Sequence, residues 1–311
     1  MYPAIFFILG VVILLVSADV FVQAASQASK KLGLSPLVIG ITIVALGTSM
    51  PELVVSVFAA IKGDGGLAFG NIIGSNAVNI LLVFPLGILC SDLRIGTMKT
   101  QRNTLILLLV SVVFYLISRM FSAPWIGYLL IGCAILFTIE EYRWGKIGIK
   151  HEDKVRFSKL HTKEKTFDIV IKTVGSLLGI GVGGFITVVS TENISLLTGI
   201  STTFLGFTIT AIGTSLPELF TTLFSARHSE EKITMGNILG SNIYNVLLIG
   251  GLTILIASPY PMNTYHWMIF LLSSVLLVGI VVFYRGRIIP KWVGVFLLLL
   301  FLGSGYFIRK I

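Results

Sequence analysis

Long apolar runs separated by short polar segments dominate this chain. Runs close to the ~20 residues that cross a bilayer as a helix fall at roughly 4–25, 36–61, 70–90, 103–120, 124–140, 167–190, 202–226, 236–257, 265–284 and 291–308. They predict ten transmembrane helices and an all-α integral membrane protein. The first run is long and has no basic residues before it, so it reads as a retained helix and not as a cleaved signal. Composition agrees: 55% of the 311 residues are hydrophobic and 12% charged, against about a quarter charged in soluble domains, and the mean hydropathy is +0.95.

Polar residues inside the apolar runs are not scattered. Ala45-Leu-Gly-Thr-Ser-Met-Pro-Glu52 with Gly70-Asn-Ile-Ile-Gly-Ser-Asn-Ala-Val-Asn79 returns as Ala211-Ile-Gly-Thr-Ser-Leu-Pro-Glu218 with Gly236-Asn-Ile-Leu-Gly-Ser-Asn-Ile-Tyr-Asn245. Every matched position obeys an offset of 166 residues, and Glu precedes the last Asn by 27 in both copies. The copies lie on helices two and three and on seven and eight, which makes five helices per repeat. An acidic side chain is costly in hydrocarbon and tends to face a bundle interior or an ion pathway, so the duplicated pair reads first as a cation site.

Basic residues orient the chain, because short loops rich in Lys and Arg stay on the cytoplasmic side. With the N-terminus outside, the inner loops hold Lys30, Lys31, Arg94, Lys99, Arg102, the Arg143–Lys165 segment, Arg227, Lys232, Arg285, Arg287 and Lys291. The outer side holds only Lys62, Arg119, Arg309 and Lys310, so both termini are expected to be extracytoplasmic, in a plasma or inner membrane. The net charge of +9 follows mostly from this bias and calls for lipid headgroups, not nucleic acid, as partners. Helix one starts outside and helix six inside, so the halves are expected to form an inverted repeat: 1–140, a cytoplasmic linker 141–166, and 167–311. Such repeats bring matched helices together near the midplane.

The residue types suit a hard cation. Pro51 and Pro217 cannot donate to the carbonyls of Gly47 and Gly213, so both helices are expected to open there and expose carbonyl oxygens. Ala45, Thr48 and Glu52 share a helical face, with Ser49 adjacent; Ser75 with Asn79, and Ser241 with Asn245, are spaced i and i+4 and can add hydroxyl and amide oxygens. Mixed oxygen ligands suit calcium or sodium better than zinc or copper. Gly70 with Gly74, and Gly236 with Gly240, are small-residue pairs that let helices approach closely.

These motifs resemble the alpha repeats of the calcium/cation antiporter superfamily, specifically prokaryotic sodium/calcium exchangers, and the resemblance covers both halves. It implies a ten-helix fold with four clustered cation sites exchanging about three sodium ions for one calcium. Carried over position by position, the ligands are Thr48, Ser49, Glu52, Ser75, Asn79, Thr214, Ser215, Glu218, Ser241 and Asn245, with the backbone carbonyls of Ala45 and Ala211. Asn245 stands where a number of members carry Asp, which leaves two carboxylates here. No cofactor beyond the transported ions is implied, and no obligate protein partner is evident.

Competing readings remain for single features. The glycine pairs and prolines alone would be packing and kink devices, Glu52 and Glu218 structural hydrogen-bonding groups, and Ser75 and Ser241 bonded to backbone carbonyls. Asp19 has no acidic counterpart at Phe185 and reads as an interface or hydrogen-bonding residue. Gly179-Ile-Gly-Val-Gly-Gly184 has no strand before it and reads as close helix packing rather than a dinucleotide loop. Cys90 and Cys133 match no metal spacing and no disulfide, and His151, His161, His228 and His266 form no cluster and are expected to be solvated. A proton/calcium or other divalent-cation exchanger of the same fold is the alternative function. The repeat argues against a channel, and the lack of a nucleophile or histidine beside the carboxylates argues against an enzyme.

Overall fold

The computed structural model describes residues 2–32, 40–95, 98–120, 123–147, 166–227 and 231–309. The linker expected at 141–166, beyond its first residues, lies outside them together with His151, His161 and His228. The described residues are almost entirely helical, with isolated bridges between Arg94 and Ile288 and between Ile95 and Arg285. Helix α1 (Tyr2–Leu32) is followed by a π-helical turn at Gly40–Val44, α2 (Ala45–Thr48) and α3 (Met50–Ile61); α4 (Gly65–Val78) runs through a π turn at Asn79–Val83 into α5 (Phe84–Cys90), and α6 (Met98–Met120) and α7 (Trp125–Ile147) follow. Next come α8 (Thr166–Thr198), α9 (Thr202–Leu205), a π turn at Gly206–Thr210, α10 (Ala211–Thr214) and α11 (Leu216–Arg227). The chain ends with α12 (Glu231–Tyr244), a π turn at Asn245–Ile249, α13 (Gly250–Ile256), α14 (Thr264–Phe283) and α15 (Lys291–Arg309). From the first π turn to α5 every boundary recurs 166 residues later, ending at α13.

Seven of these helical stretches are long and apolar enough to cross a membrane. Burial sorts them into layers. Gly65–Cys90 and Ile233–Ile256 are each 83% buried, whereas the spans in α1, α6, α7, α8 and α14 bury between 18% and 39% and turn Leu, Ile, Val and Phe outward. Continuous apolar character on an exposed face is what a lipid-facing helix requires. The first central stretch lies against the second half's Gly206–Thr210 turn and α10, and α12 lies in turn against Gly40–Val44 and α2.

Glycine sets these approaches. A Cβ on Gly74 would stand 2.5 Å from the carbonyl oxygen of Phe207, and one on Gly240 would stand 2.5 Å from that of Ile41. Helices α1 and α8 cross antiparallel through Gly10 and Gly183, where a Cβ on Gly183 would lie 2.8 Å from the Gly10 carbonyl oxygen. Gly179 and Gly184 in the same glycine run also abut neighbours, Ser17 and Val54, while Gly181 faces open space. Close packing thus accounts for three of the run's four glycines.

Two expectations are corrected. The opening at Pro51 is one residue wide: Ser49 (φ −81°, ψ 5°) ends α2, and α3 begins at Met50 with Pro51 in its first turn. A first helical turn has no intrahelical partner for its N–H, so proline fits there without cost. The wider irregularities are the four π turns, one in each helix that carries a motif segment. His266 is buried, 6% exposed, with its ring edge-on to Phe207 at 4.8 Å between centroids; it sits in the first turn of α14, which folds over α4. Asp19 is exposed and accepts a hydrogen bond from Gln23 Nε2 at 2.8 Å. Cys90 and Cys133 are free thiols.

Candidate cation-binding site

All twelve candidate residues are buried: Ala45, Thr48, Ser49, Glu52, Ser75, Asn79, Ala211, Thr214, Ser215, Glu218, Ser241 and Asn245 are each 3% exposed or less. The fold brings them together by crossing the halves. Ser49 Oγ donates to Glu218 Oε1 at 3.1 Å, and Ser215 Oγ donates to Glu52 Oε1 at 2.9 Å. Thr48 Oγ1 lies 3.2 Å from the Ala45 carbonyl oxygen and 3.3 Å from Ser241 Oγ, which reaches the same carbonyl at 3.5 Å. The mirrored cluster has Thr214 Oγ1 at 3.3 Å from the Ala211 carbonyl oxygen and 3.4 Å from Ser75 Oγ.

Consecutive hydroxyls at the break go to different places. Thr48, at the end of α2, points to Ser241 on α12, while Ser49 in the break points to Glu218 on α11. An unbroken helix would keep Thr48 on the face of Ala45 and Glu52 and carry Ser49 about 100° round. Each Ala carbonyl also accepts the N–H of the break residue, Ser49 N to Ala45 O and Ser215 N to Ala211 O, both at 3.0 Å.

The electrostatics are unbalanced. Glu52 and Glu218 are fully buried, and the ion pairs among the described residues involve other carboxylates, at Glu141, Glu192, Glu140 and Asp92. Each Glu keeps one oxygen, Oε2, with no hydrogen-bond partner, and so do both polar atoms of the Asn79 and Asn245 side chains. Buried polar atoms are ordinarily satisfied, and a buried carboxylate needs a compensating charge. The unsatisfied set includes two carboxylate and two amide oxygens, a donor set that suits a hard cation. Asn79 and Asn245 open the π turns that pack on α11 and α3, the helices of the two glutamates. Among the described residues no cluster of three or more His, Cys, Asp or Glu exists.

Asn71 and Asn237 are site residues that the sequence reading passed over. Asn71 Nδ2 donates to the Glu52 carbonyl oxygen at 3.3 Å and to Ser56 Oγ at 3.0 Å, and its Oδ1 accepts from Thr214 Oγ1 at 3.2 Å. Asn237 repeats this with the Glu218 carbonyl at 3.2 Å, Thr222 Oγ1 at 3.3 Å and Thr48 Oγ1 at 3.1 Å. The signal was present, since both asparagines follow the first glycine of their motif at the shared offset.

The sodium/calcium exchanger protein family matches residues 2–140 and 169–309. A sodium/calcium exchanger from Methanosarcina acetivorans is 31% identical over 336 aligned positions, which cover 94% of this chain and 95% of that protein. An inner membrane protein from Escherichia coli, YrbG, is 33% identical over 259 positions, 80% of this chain and 78% of its own. Among solved structures, the sodium-calcium exchanger NCX_Mj soaked with sodium and strontium superimposes with a TM-score of 0.73 at 27% identity, covering 97% of both chains.

Proposed function

The chain belongs to the sodium/calcium exchanger protein family, a family of membrane antiporters and not of enzymes, and from that premise we propose that it exchanges sodium for calcium by alternating access. About three sodium ions would move for each calcium, as the resemblance to prokaryotic sodium/calcium exchangers implies; two carboxylates neutralise the one divalent ion and are exceeded by one charge when three sodium ions are bound. The twelve residues named above are proposed to hold the transported ions, with Glu52 and Glu218 supplying the charge. The observation that carries this reading is the unsatisfied oxygen on each buried glutamate, together with the unsatisfied amides of Asn79 and Asn245 on the π turns that pack against the glutamates' helices.

The proposed architecture is ten transmembrane helices in two inverted repeats, 1–140 and 167–311, joined by a cytoplasmic linker at 141–166. The recurrence of helix boundaries at an offset of 166 and the mirrored contacts of Gly74 and Gly240 support it. Both termini are proposed to be extracytoplasmic, in the plasma or inner membrane. The antiparallel pair α1 and α8, packed against α3 and the π turns at Gly40–Val44 and Gly206–Thr210, is the proposed moving part.

Calcium-45 uptake into proteoliposomes, with a sodium, potassium or pH gradient imposed in turn, tests this reading. Uptake driven by outward sodium alone is expected. Uptake driven by protons and indifferent to sodium would make the protein a proton/calcium exchanger.

A further inference from the structure

We infer that Asn71 and Asn237 are positioning residues that draw the hydroxyl protons of Thr214 and Thr48 away from the transported ions. This rests on the proposed ligand roles of the two threonines. The orientation of each amide is forced by its surroundings. Asn237 Nδ2 faces the Glu218 carbonyl oxygen at 3.2 Å, and a carbonyl only accepts, so the NH2 end must lie there. Its other proton is taken by Thr222 Oγ1 at 3.3 Å. Oδ1 is thereby fixed 3.1 Å from Thr48 Oγ1. Asn71 is held in the same way by the Glu52 carbonyl and Ser56, with Oδ1 3.2 Å from Thr214 Oγ1. Both asparagines are fully buried.

The Thr48 hydroxyl has one proton and three hydrogen-bonding oxygens to share it among, Asn237 Oδ1 at 3.1 Å, the Ala45 carbonyl at 3.2 Å and Ser241 Oγ at 3.3 Å, with the Glu218 carboxylate a further neighbour that is itself a proposed ligand. The second and third are proposed cation ligands. A proton aimed at either would place positive hydrogen where the ion must sit. Asn237 Oδ1 is the nearest of the three and stands outside the ligand set. When it takes the proton, the Thr48 lone pairs turn to the ion and the Ala45 carbonyl, which already accepts the Ser49 N–H, keeps its second lone pair clear of the Thr48 proton. Partners behind the ligands orient metal ligands in this way generally, and here they orient a hydroxyl for an ion that must also leave.

The test is a double-mutant cycle of Asn237→Ala and Thr48→Val, read as the sodium concentration giving half-maximal calcium-45 uptake in proteoliposomes. Asn237→Ala alone is expected to raise that concentration about tenfold, the scale of one lost buried hydrogen bond. In the Thr48→Val background no hydroxyl proton remains, and the further rise should be less than about twofold. An equal rise in both backgrounds would show that Asn237 acts through helix packing and overturns the inference. A Thr48→Val protein with unchanged sodium dependence would overturn the ligand role itself, and wild-type protein without sodium-driven uptake would overturn the proposed function. If Asn237→Ala does not fold, Asn237→Asp keeps the acceptor opposite Thr48 while losing the donor to Glu218. Half-saturation at or below the wild-type value then supports the inference, and a higher value or an unfolded protein overturns it.

Discussion

Ser49 follows Thr48 by one position, yet its hydroxyl serves Glu218 in the other half, as Ser215 serves Glu52. Each carboxylate therefore has one oxygen anchored across the molecule and one unsatisfied. Neutralising either, as Glu52→Gln or Glu218→Gln, should reduce calcium-45 exchange by about a hundredfold or more, because a charge removed from a buried cation site is worth several kcal/mol. The variants should still elute as single species by size exclusion. Near-normal flux in either would remove that carboxylate from the site. Asn245→Asp would add an ionisable ligand beside the two glutamates. Calcium transport should survive with an altered sodium dependence and a new loss of activity toward acid pH, where the added carboxylate takes up protons. Unchanged profiles would mean that this side chain points away from the ions.

At the scale of elements, the close approach of the central helices to the opposing π turns depends on two glycines with backbone directly above them. Gly74→Ala and Gly240→Ala each push a methyl group into a carbonyl oxygen that no rotamer change can move. Each should destabilise the protein by about 1–3 kcal/mol, read as a lower melting temperature in detergent, with exchange lost in parallel. Gly132→Ala, where nothing lies within 4 Å, should leave both unchanged.

The elements were largely legible in the sequence because hydropathy and the 166-residue repeat are both one-dimensional signals. The span expected at 70–90 falls within α4, its π turn and α5. The π turns were not legible. Asn79 and Asn245 begin two of them, but no local rule distinguishes an α from a π turn in an apolar run, and their widening is set by what packs across them. The partner of Ser49 was hidden for the same reason, since a motif states which oxygens are present and not which half they face. Asn71 stood in plain view but carries no charge, and its role appears only once Thr214 of the opposite half comes within 3.2 Å.

The whole molecule is expected to act on charge as well as on ions. Two ionised carboxylates balance one calcium, whereas three sodium ions leave a net positive charge, so each turnover should move one charge, coupled to voltage by ~2.3 kcal/mol per 100 mV. In sodium-loaded vesicles facing external calcium, a valinomycin-set inside-positive potential should speed calcium entry and an inside-negative one should slow it. Rates indifferent to potential would point to electroneutral exchange.

The crossed pairing of serines and glutamates has a consequence for how the chain is assembled. Residue 74 meets 207 while 240 meets 41, the reciprocal pattern of an isologous dimer interface, so the proposed halves would behave as two subunits that share one polypeptide. Neither half would then carry a finished site, because the hydroxyl that anchors each carboxylate belongs to the other. Fragments 1–140 and 167–311, coexpressed as separate chains, should therefore find each other and restore exchange, while either fragment alone should be silent. A lesion in one half should be felt first at the carboxylate of the other.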